Sequence, residues 1–242
     1  MRSIIATYVK DLVSCILPTR DRPGFFRQAV RCFLRQSYVN SELVVVDDGE
    51  EPVGQLFQPT DRIVYVRLNR PASLGTKMNI GIARARGSVL QKMDDDDYYH
   101  PEFLETAVSH LAEGDRNIVA WDCFLVLFAG EREARFSGHG WASGGTLCFS
   151  RRLWERAPFR DAPRSVDRWF LTDHEYRITP VCAAERYLVV RHGRNTWTRM
   201  DEYDTDDWLQ ALPIHPKPLE ELMSEADAVF YRGLRYDRRA YS

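Results

Sequence analysis

The first half of the chain alternates two sequence patterns, and this alternation constrains the fold more than any other feature. Short apolar, β-branched runs predict buried strands, whereas segments with apolar residues at helical spacing predict amphipathic helices. The predicted strands are 12–18, the run ELVVV from Glu42, 63–68 and 88–93, and the predicted helices are 23–37, 75–86 with Gly87 as its C-terminal glycine, and a segment beginning at Pro101. This order is typical of an α/β fold with a mostly parallel sheet and helices on both faces.

Polar clusters directly follow three of these predicted strands. They are residues 19–21, residues 47–49 and the four aspartates at 94–97. Because sheets of this class bind ligands at the carboxyl ends of their strands, the clusters predict a ligand site at that edge. Two carboxylates about 4 Å apart repel by roughly 4 kcal/mol at an effective dielectric near 20. A bound magnesium or manganese ion would relieve this repulsion, and a solvated acidic turn before the helix at Pro101 is the alternative.

Composition narrows the class of protein. Lys and Arg number 33 against 35 Asp and Glu, a formal net charge of −2, which disfavours nucleic acid as a partner. The five cysteines form no CxxC pair and mostly stand in apolar surroundings, which predicts buried thiols in a reducing compartment. Charges at Lys10 and Asp11 interrupt any signal-peptide core, and no window of 18 uncharged apolar residues occurs. We therefore expect a soluble, cytoplasmic protein.

The second half of the chain has a less regular pattern. Residues 117–129 predict one long strand or two strands joined by a bend, and residues 187–193 predict a strand that ends at His192. Further predictions are a strand in the sequence TLCFS and helices near 150–156, 167–177 and 219–233. The sequence has no internal repeat or flexible linker, so we expect one domain at 1–200 and a C-terminal extension at 201–242 packed on it.

Four segments, taken in order, resemble a known enzyme family. VSCILPTRDRP, ELVVVDDG, residues 75–87 and KMDDDDYYHP are similar to the inverting GT-A glycosyltransferases of family 2. The resemblance covers about residues 12–113 and implies a GT-A, Rossmann-like fold. In that fold residues 12–113 would bind the nucleotide sugar and residues 114–200 the acceptor. The sequence departs from the family pattern at Asp21, at Glu50 and at 77–79, none of which is a metal-ligand position.

The resemblance implies nucleotide-binding roles at the first two strand ends. Thr19 and Asp48 would hydrogen-bond the base, since a carboxylate accepts readily from the imide N–H of uracil or thymine. Lys77 falls near the basic position that lies beside the nucleotide in the family. The structural alternatives are that Thr19 merely ends a strand and that Asp47 caps the turn at Gly49.

The family's DxD motif falls on the aspartate cluster. Asp94 and Asp95 would bind the donor, with Asp94 facing the ribose or a metal-bound water, and Asp96 would ligate the metal. No role is assigned to Asp97. His192, in VVRHGRNTW, resembles the histidine that completes the metal site in many members, whereas an isolated histidine at a strand end otherwise serves as a structural hydrogen-bonder. The implied cofactor is Mn²⁺ or Mg²⁺.

A candidate base lies in the sequence PFRDAPRSVDRWF. It resembles a family segment in which an acidic residue begins a helix and acts as the catalytic base, and Asp167 occupies that position. The helix dipole keeps a carboxylate at a helix N-terminus ionised, which suits a base that accepts a proton from a sugar hydroxyl. Asp173 and Glu175 are rival bases, and an ordinary helix cap is the structural interpretation of Asp167.

Three further segments allow more than one interpretation. HGWASGG, residues 139–145, has the composition of an acceptor wall in which Trp141 faces a sugar ring, or of a plain connecting loop. The acidic run 201–207 is interpreted as a solvated linker. The basic, aromatic end of the chain from Phe230 suits docking on the domain, with peripheral contact to an anionic membrane surface as the alternative.

Together these features predict a metal-dependent glycosyltransferase. It would move a sugar from a nucleotide-diphosphate sugar, with UDP or dTDP favoured, to an acceptor hydroxyl in polysaccharide or glycoconjugate synthesis, with inversion. A sugar nucleotidyltransferase is an alternative, but it should carry a glycine-rich basic loop after the first strand, and TRDRPGFF has one glycine. A catalytically inactive sugar- or metal-binding module is the other alternative, and the intact acidic cluster argues against it.

Overall fold

The computed structural model describes residues 11–58, 60–111, 117–174, 177–200 and 203–237. Its strands are β1 (Val13–Thr19), β2 (Ser41–Asp47), β3 (Ile63–Arg67), β4 (Val89–Lys92), β5 (Tyr98–Tyr99), β6 (Asn117–Trp121), β7 (Leu125–Phe128), β8 (Arg135–Phe136), β9 (Cys148–Ser150), β10 (Arg177–Val181), β11 (Tyr187–Arg191), β12 (Arg199–Met200) and β13 (Tyr203–Asp204). Its helices are α1 (Pro23–Leu34), α2 (Leu74–Arg84), α3 (Phe103–His110), α4 (Arg151–Arg156), α5 (Val166–Thr172), α6 (Thr205–Gln210), α7 (Leu219–Leu222) and α8 (Glu225–Arg232). None of the helices within these ranges is long and apolar enough to cross a bilayer.

The main sheet is mostly parallel, which confirms the predicted fold class. Its strand order is β10-β6-β9-β4-β1-β2-β3. Strands β3, β2, β1 and β4 pair in parallel, and β10 pairs in parallel with β6. Strand β9 is antiparallel to both β4 and β6. The carboxyl ends of β1, β2, β4 and β6 therefore lie along one edge. A smaller sheet has the order β5-β11-β7-β8.

The central strands are buried on both faces, as their continuous apolar runs require. Successive side chains of a strand point to opposite faces. On β1, Cys15 and Leu17 therefore pack in one hydrophobic cluster, while Ile16 packs in the other with Val44 and Val46 of β2. Helix α1 contributes to the first cluster and α2 to the second, so helices cover both faces of the sheet.

The prediction that Gly87 closes the second helix is wrong. Helix α2 ends at Arg84, and its C-cap Ala85 already has an extended conformation. Gly87 lies against the start of β1, where an added Cβ would come within 2.3 Å of the carbonyl oxygen of Leu12. The glycine therefore permits close packing of the loop on the strand and does not end the helix.

Two predicted segments of the second half each form two secondary-structure elements in the structure. Residues 117–129 form β6 and β7, separated by a bend, which is one of the two predicted arrangements. The predicted helix at 219–233 is broken into α7 and α8, because Ser224 adopts an extended conformation and its side chain caps α8 by accepting from the Asp227 amide.

The interpretation of the acidic run as a solvated linker is wrong for its described part, residues 203–207. Asp206 is 5% exposed and pairs with the buried Arg191 of β11 at 2.5 Å. Farther along, Asp227 of α8 is buried and pairs with Arg31 of α1 and with Arg35, the C-cap of that helix. Charged groups of the last 40 residues thus contact the main body of the fold, while the boundary at residue 200 stays a prediction.

Candidate active site

The polar clusters predicted at strand ends lie together at one edge of the main sheet. Thr19 ends β1, Asp48 follows β2, and the aspartates 94–97 follow β4. The hydroxyl of Thr19 donates to Oδ2 of Asp95 at 2.7 Å, so the first and fourth strands are joined directly at this edge. The parallel register of β1 with β2 and β4 places these side chains side by side.

Asp96 and His192 meet although 96 positions separate them in the chain. Nε2 of His192 lies 2.9 Å from Oδ2 of Asp96, and the ring of His192 packs on Phe25 of α1 with centroids 4.7 Å apart. Asp96 and His192 come together because two strands of the small sheet pair with each other. Strand β5 directly follows the aspartates and pairs with β11, and His192 directly follows β11.

Arg22 supplies the positive charge that the aspartate cluster needs. Its Nη1 donates to Oδ1 of Asp95 at 2.9 Å and to Oδ2 of Asp96 at 2.8 Å. Burial disfavours the charged form of Asp96, but Arg22 and His192 outweigh burial and hold its pKa well below the ordinary value. Burial raises the pKa of Asp95 to about 6, with Arg22 opposing this effect and Asp96 reinforcing it. The two neighbouring carboxyls therefore differ, and Asp96 is the one held as an anion.

Asp48 forms a buried ion pair with Lys77. Nζ of Lys77 lies 2.8 Å from Oδ1 of Asp48, and the backbone amide of Ala72 donates to Oδ2 at 2.8 Å. Asp47 serves a different purpose, because its carboxylate accepts from the amides of Gly49 and Val53. The turn-capping role considered for Asp47 is present in the structure, and the two adjacent aspartates point to different partners.

Asp94 is the most open of the four aspartates, with a side chain 29% exposed. Both of its carboxylate oxygens lie within 2.7 Å of Nζ of Lys92. Asp97 is turned inward, where it accepts from the Tyr187 hydroxyl and from the Val190 amide. Burial, followed by the charges of Asp96 and Asp94, raises the pKa of Asp97 well above its ordinary value. Asp97 is thus part of the support beneath the site.

Asp167 lies in the first turn of α5, as predicted, and reaches toward the aspartate cluster. Its carboxylate touches Gly144, because a Cβ built on that glycine would lie 1.9 Å from Oδ2 of Asp167. A Cβ on the adjacent Gly145 would lie 3.0 Å from Oδ2 of Asp94. The short 3-10 turn Gly144–Thr146 therefore lies between Asp167 and Asp94. Its first two residues are glycines, and each of the two carboxylates lies against one of them.

The charge on Lys92 links these two carboxylates. Burial disfavours the charged form of Lys92, but Asp94 and Asp167 outweigh burial and raise its pKa. Asp173, a rival base, follows the end of α5 and pairs with Arg160 on the surface. Glu175, the other rival, lies outside the described residues. Of the two candidate bases within the described residues, Asp167 is the one near the aspartates.

Trp141 of the loop 139–145 is half-buried among aromatic side chains. Its ring contacts Phe124, Trp197 and Trp208, and its Nε1 donates to the carbonyl of Ser137. These contacts anchor the loop over the end of β6. They match the interpretation as a connecting loop, and the ring's remaining exposed surface is compatible with an acceptor wall.

A family model described as Glycosyl transferase family 2 matches residues 14–162. The chain belongs to this family. The matched segment begins in β1 and includes Thr19, Asp48, Lys77 and the aspartates 94–97. It ends before Asp167 and His192.

Curated relatives match this family 2 chain over part of its length. An uncharacterized glycosyltransferase of Rickettsia prowazekii is 29% identical over 114 residues, which are 46% of this chain and 36% of the relative. An uncharacterized glycosyltransferase of Rickettsia felis is 32% identical over 108 residues, which are 43% of this chain and 18% of the relative. The chain thus spans well under half of the length of these relatives.

Solved structures share the fold at low sequence identity. A mannosyltransferase from Pyrobaculum calidifontis, in complex with GDP-Man and Mn²⁺, has a TM-score of 0.62 at 17% identity, over 78% of this chain and 59% of that one. S. aureus TarS in complex with UDP-GlcNAc has a TM-score of 0.61 at 16% identity, over 94% of this chain and 68% of that one. These likenesses confirm the predicted GT-A fold.

Several residues of this family 2 site escaped the sequence analysis. Arg22 and Lys92 were not predicted, although Arg22 stands three residues after Thr19 and Lys92 two residues before Asp94. Asn195 accepts from the His192 amide at 2.9 Å and donates to the Val190 carbonyl at 2.8 Å, so it shapes the turn that carries the histidine. The string RHGRNTW was noted for its histidine, and an Asn three residues after a strand end is a usable turn signal.

Proposed function

We propose that this chain is a metal-dependent, inverting glycosyltransferase that uses a nucleotide-diphosphate sugar. The observation that carries the proposal is the convergence of Asp96 and His192 at the sheet edge that also holds Asp48 and Thr19. Nε2 of His192 and Oδ2 of Asp96 lie 2.9 Å apart. A nucleotide-diphosphate donor requires residues that bind the base and, at the same edge of the sheet, a site for a divalent cation.

The donor atoms at Asp96 fit Mn²⁺ or Mg²⁺. A carboxylate oxygen and an imidazole nitrogen suit manganese, and such ions keep open positions for water and phosphate oxygens. Asp96 is 9% exposed and His192 is 6% exposed, so both ligands are largely shielded from bulk water. Asp96 and His192 would hold the ion, and when bound it would neutralise charge on the departing diphosphate.

Asp48 and Thr19 would orient the nucleotide. Asp48 is 5% exposed and pairs directly with Lys77 at 2.8 Å, and its carboxylate oxygens are acceptors suited to a base N–H. UDP and dTDP, whose bases carry an imide N–H, are the favoured nucleotides. The related structures that bind UDP-GlcNAc and GDP-Man support a nucleotide-sugar donor of this general class.

Asp167 would act as the base. It stands in the first turn of α5, where the helix dipole favours a carboxylate, and only the glycine turn separates it from Asp94. As the acceptor oxygen bonds to the anomeric carbon, its proton passes to Asp167. The bond between the anomeric carbon and the diphosphate oxygen breaks, and the nucleoside diphosphate leaves with the electron pair. Attack from the face opposite the leaving group inverts the anomeric carbon.

Two experiments test this proposal in sequence. Thermal unfolding with UDP, dTDP or GDP, each with and without Mn²⁺, should show stabilisation that needs both nucleotide and metal, about 2.7 kcal/mol at 100 times the dissociation constant. Asp167→Asn should then keep donor binding but lose about 10²–10⁴-fold in sugar transfer. Asp173→Asn is the matched control and should transfer sugar normally. If the protein instead consumed a nucleoside triphosphate and released pyrophosphate, it would be a sugar nucleotidyltransferase.

A further inference from the structure

A second group of metal-ligating side chains lies outside the donor site. Asp122 and Cys123 follow β6, Cys182 follows β10, and His139 lies in the loop that leads to the glycine turn. Strands β6 and β10 are parallel neighbours with Trp121 opposite Val181, so the residues that follow them emerge side by side. The group therefore joins three segments that are distant in sequence.

The donor atoms of this group are close together. Nδ1 of His139 lies 2.7 Å from Oδ2 of Asp122, and Sγ of Cys182 lies 3.6 Å from the same oxygen. Ligand atoms of Asp122, Cys123 and His139 all lie within 4.8 Å of one another. A tetrahedral zinc ion with bonds of about 2.0–2.3 Å holds its ligand atoms roughly 3.3–3.8 Å apart. Binding of a tetrahedral ion would require these side chains to rotate so that their ligand atoms reach this spacing.

The chemistry of the group favours zinc over the cation expected at Asp96. Two thiols, one imidazole and one carboxylate are sulfur, nitrogen and oxygen donors of the kind that zinc binds with four ligands. Manganese and magnesium prefer oxygen donors, and the donor site contains no cysteine. The two sites are therefore distinguishable by their ligands.

The group is also accessible from solvent. Cys123, His139 and Cys182 line a cavity of about 540 Å³ together with His215, and none of the cavity's lining residues belongs to the donor site. The His139 side chain is 62% exposed, and Cys182 is exposed. The cavity therefore gives an ion access from solvent to His139 and Cys182.

We propose that Asp122, Cys123, His139 and Cys182 form a zinc site. The bound ion would fasten the loop 137–146 to the ends of β6 and β10. Hydrogen bonds already hold this loop against the end of β6. The amide of Trp141 donates to the Asp122 carbonyl at 3.0 Å, and the amide of Gly140 donates to the Asp122 carboxylate at 2.9 Å. The same loop continues to Gly144 beside Asp167, so zinc would steady the wall of the proposed acceptor site.

Cobalt substitution tests the proposal directly. Protein purified under reducing conditions and stripped with a chelator should take up one Co²⁺ at this site and show the thiolate-to-cobalt absorption of a tetrahedral sulfur-containing site, which Zn²⁺ then abolishes. The donor site has no sulfur ligand and gives no such band, so Asp96→Asn should leave the band unchanged. A failure of the proposed transferase activity would therefore not affect this measurement.

Variants with exposed side chains identify the ligands without disturbing the fold. His139→Gln and Cys182→Ser should each weaken zinc binding by at least about 10–100-fold, since even residues that only support metal ligands cost that much when they are replaced. His110→Gln, which also alters an exposed histidine, is the matched control and should bind as the parent does. Absence of the thiolate band, or zinc affinity unchanged in both ligand variants, would overturn the proposal.

Discussion

Nη1 of Arg22 lies 2.8 Å from Oδ2 of Asp96, the same oxygen that Nε2 of His192 approaches at 2.9 Å. The guanidinium thus contacts the carboxylate oxygen that is proposed to bind the divalent cation. Arg22 also reaches the carbonyl of Arg194 with Nη2 at 2.9 Å, which ties it to the turn after His192. Arg22 would therefore compete with the proposed metal for the Asp96 carboxylate.

Removing Arg22 should strengthen metal binding in the absence of nucleotide. Arg22→Gln removes a charge-assisted hydrogen bond of about 1.5 kcal/mol from Asp96, so Mn²⁺ should bind roughly tenfold more tightly. Titration calorimetry with Mn²⁺ alone measures this change. Arg20→Gln, in the same loop but 48% exposed, is the control. Unchanged or weaker Mn²⁺ binding by Arg22→Gln would show that the two cations do not compete.

Asp48 and its neighbour Asp47 should respond differently to the same substitution. Asp48→Asn loses the charged acceptor proposed for the base and should weaken nucleoside diphosphate binding by about 1.5–3 kcal/mol, or roughly 10- to 150-fold. Asp47→Asn should instead lower the free energy of unfolding, because its carboxylate binds the Gly49 amide, the Val53 amide and the Tyr65 hydroxyl. Calorimetry and chemical denaturation separate the two effects. An unchanged dissociation constant for Asp48→Asn would leave Asp48 as a structural partner of Lys77.

Gly144 tests the placement of Asp167 without altering any charge. A Cβ at Gly144 would overlap Oδ2 of Asp167, so Gly144→Ala should displace the carboxylate and reduce sugar transfer on the order of 10²-fold. Donor affinity should stay at the parental value. Gly24→Ala is the control, because a Cβ at Gly24 meets no atom within 4 Å. Parental turnover in Gly144→Ala would mean that the observed position of Asp167 is not the reactive one.

The polar residues at the ligand-binding edge of the sheet could be predicted from sequence, whereas the contacts that they make with distant segments could not. A buried run that ends in polar residues marks a strand end locally, which is why Thr19, Asp48 and the aspartates were found. The contact of Asp96 with His192 depends on the pairing of β5 with β11, and that pairing joins segments about 90 residues apart. No local pattern encodes such a pairing, so the resemblance to the family had to supply the histidine.

Residues that act by charge or by lacking a side chain were harder still to find. Arg22 was visible in TRDRP, but only the folded chain shows that it reaches both Asp95 and Asp96. Gly144 was predicted only as part of an acceptor wall or a connecting loop, and its contact with Asp167 depends on the packing of α5 against it. Each of these roles arises from packing between distant segments.

The ion pairs of Asp227 predict a stability that depends on pH. Burial alone would raise the pKa of Asp227, but hydrogen bonds from Ser224, Gln28 and Arg35 outweigh burial and lower it. A lowered pKa contributes stability that is complete above the unfolded value of about 3.9 and is lost as the pH falls through the lower folded value. Asp227→Asn should cost about 1–3 kcal/mol at pH 7.

Denaturation at several pH values measures that difference. The gap in unfolding free energy between the parent and Asp227→Asn should be constant from pH 7 to about pH 5 and should shrink as the pH falls below about 4. Asp61→Asn, with an exposed side chain, should show no comparable gap. A gap that stays constant down to pH 2 would show that the charge of Asp227 is not what stabilises the contact between α8 and α1.

Calorimetric titration of Asp96→Asn tests the central claim most directly. The titrant is UDP, dTDP or GDP, whichever stabilises the parent most, and each titration is run with Mn²⁺ and again with a chelator. The parent should bind the nucleotide tightly only with Mn²⁺, whereas Asp96→Asn should bind it weakly and equally in both conditions. The circular dichroism spectrum of Asp96→Asn should be unchanged. The control variant Asp61→Asn should bind as the parent does. If Asp96→Asn keeps the full Mn²⁺-dependent affinity, Asp96 does not hold the metal and the proposed donor site is wrong.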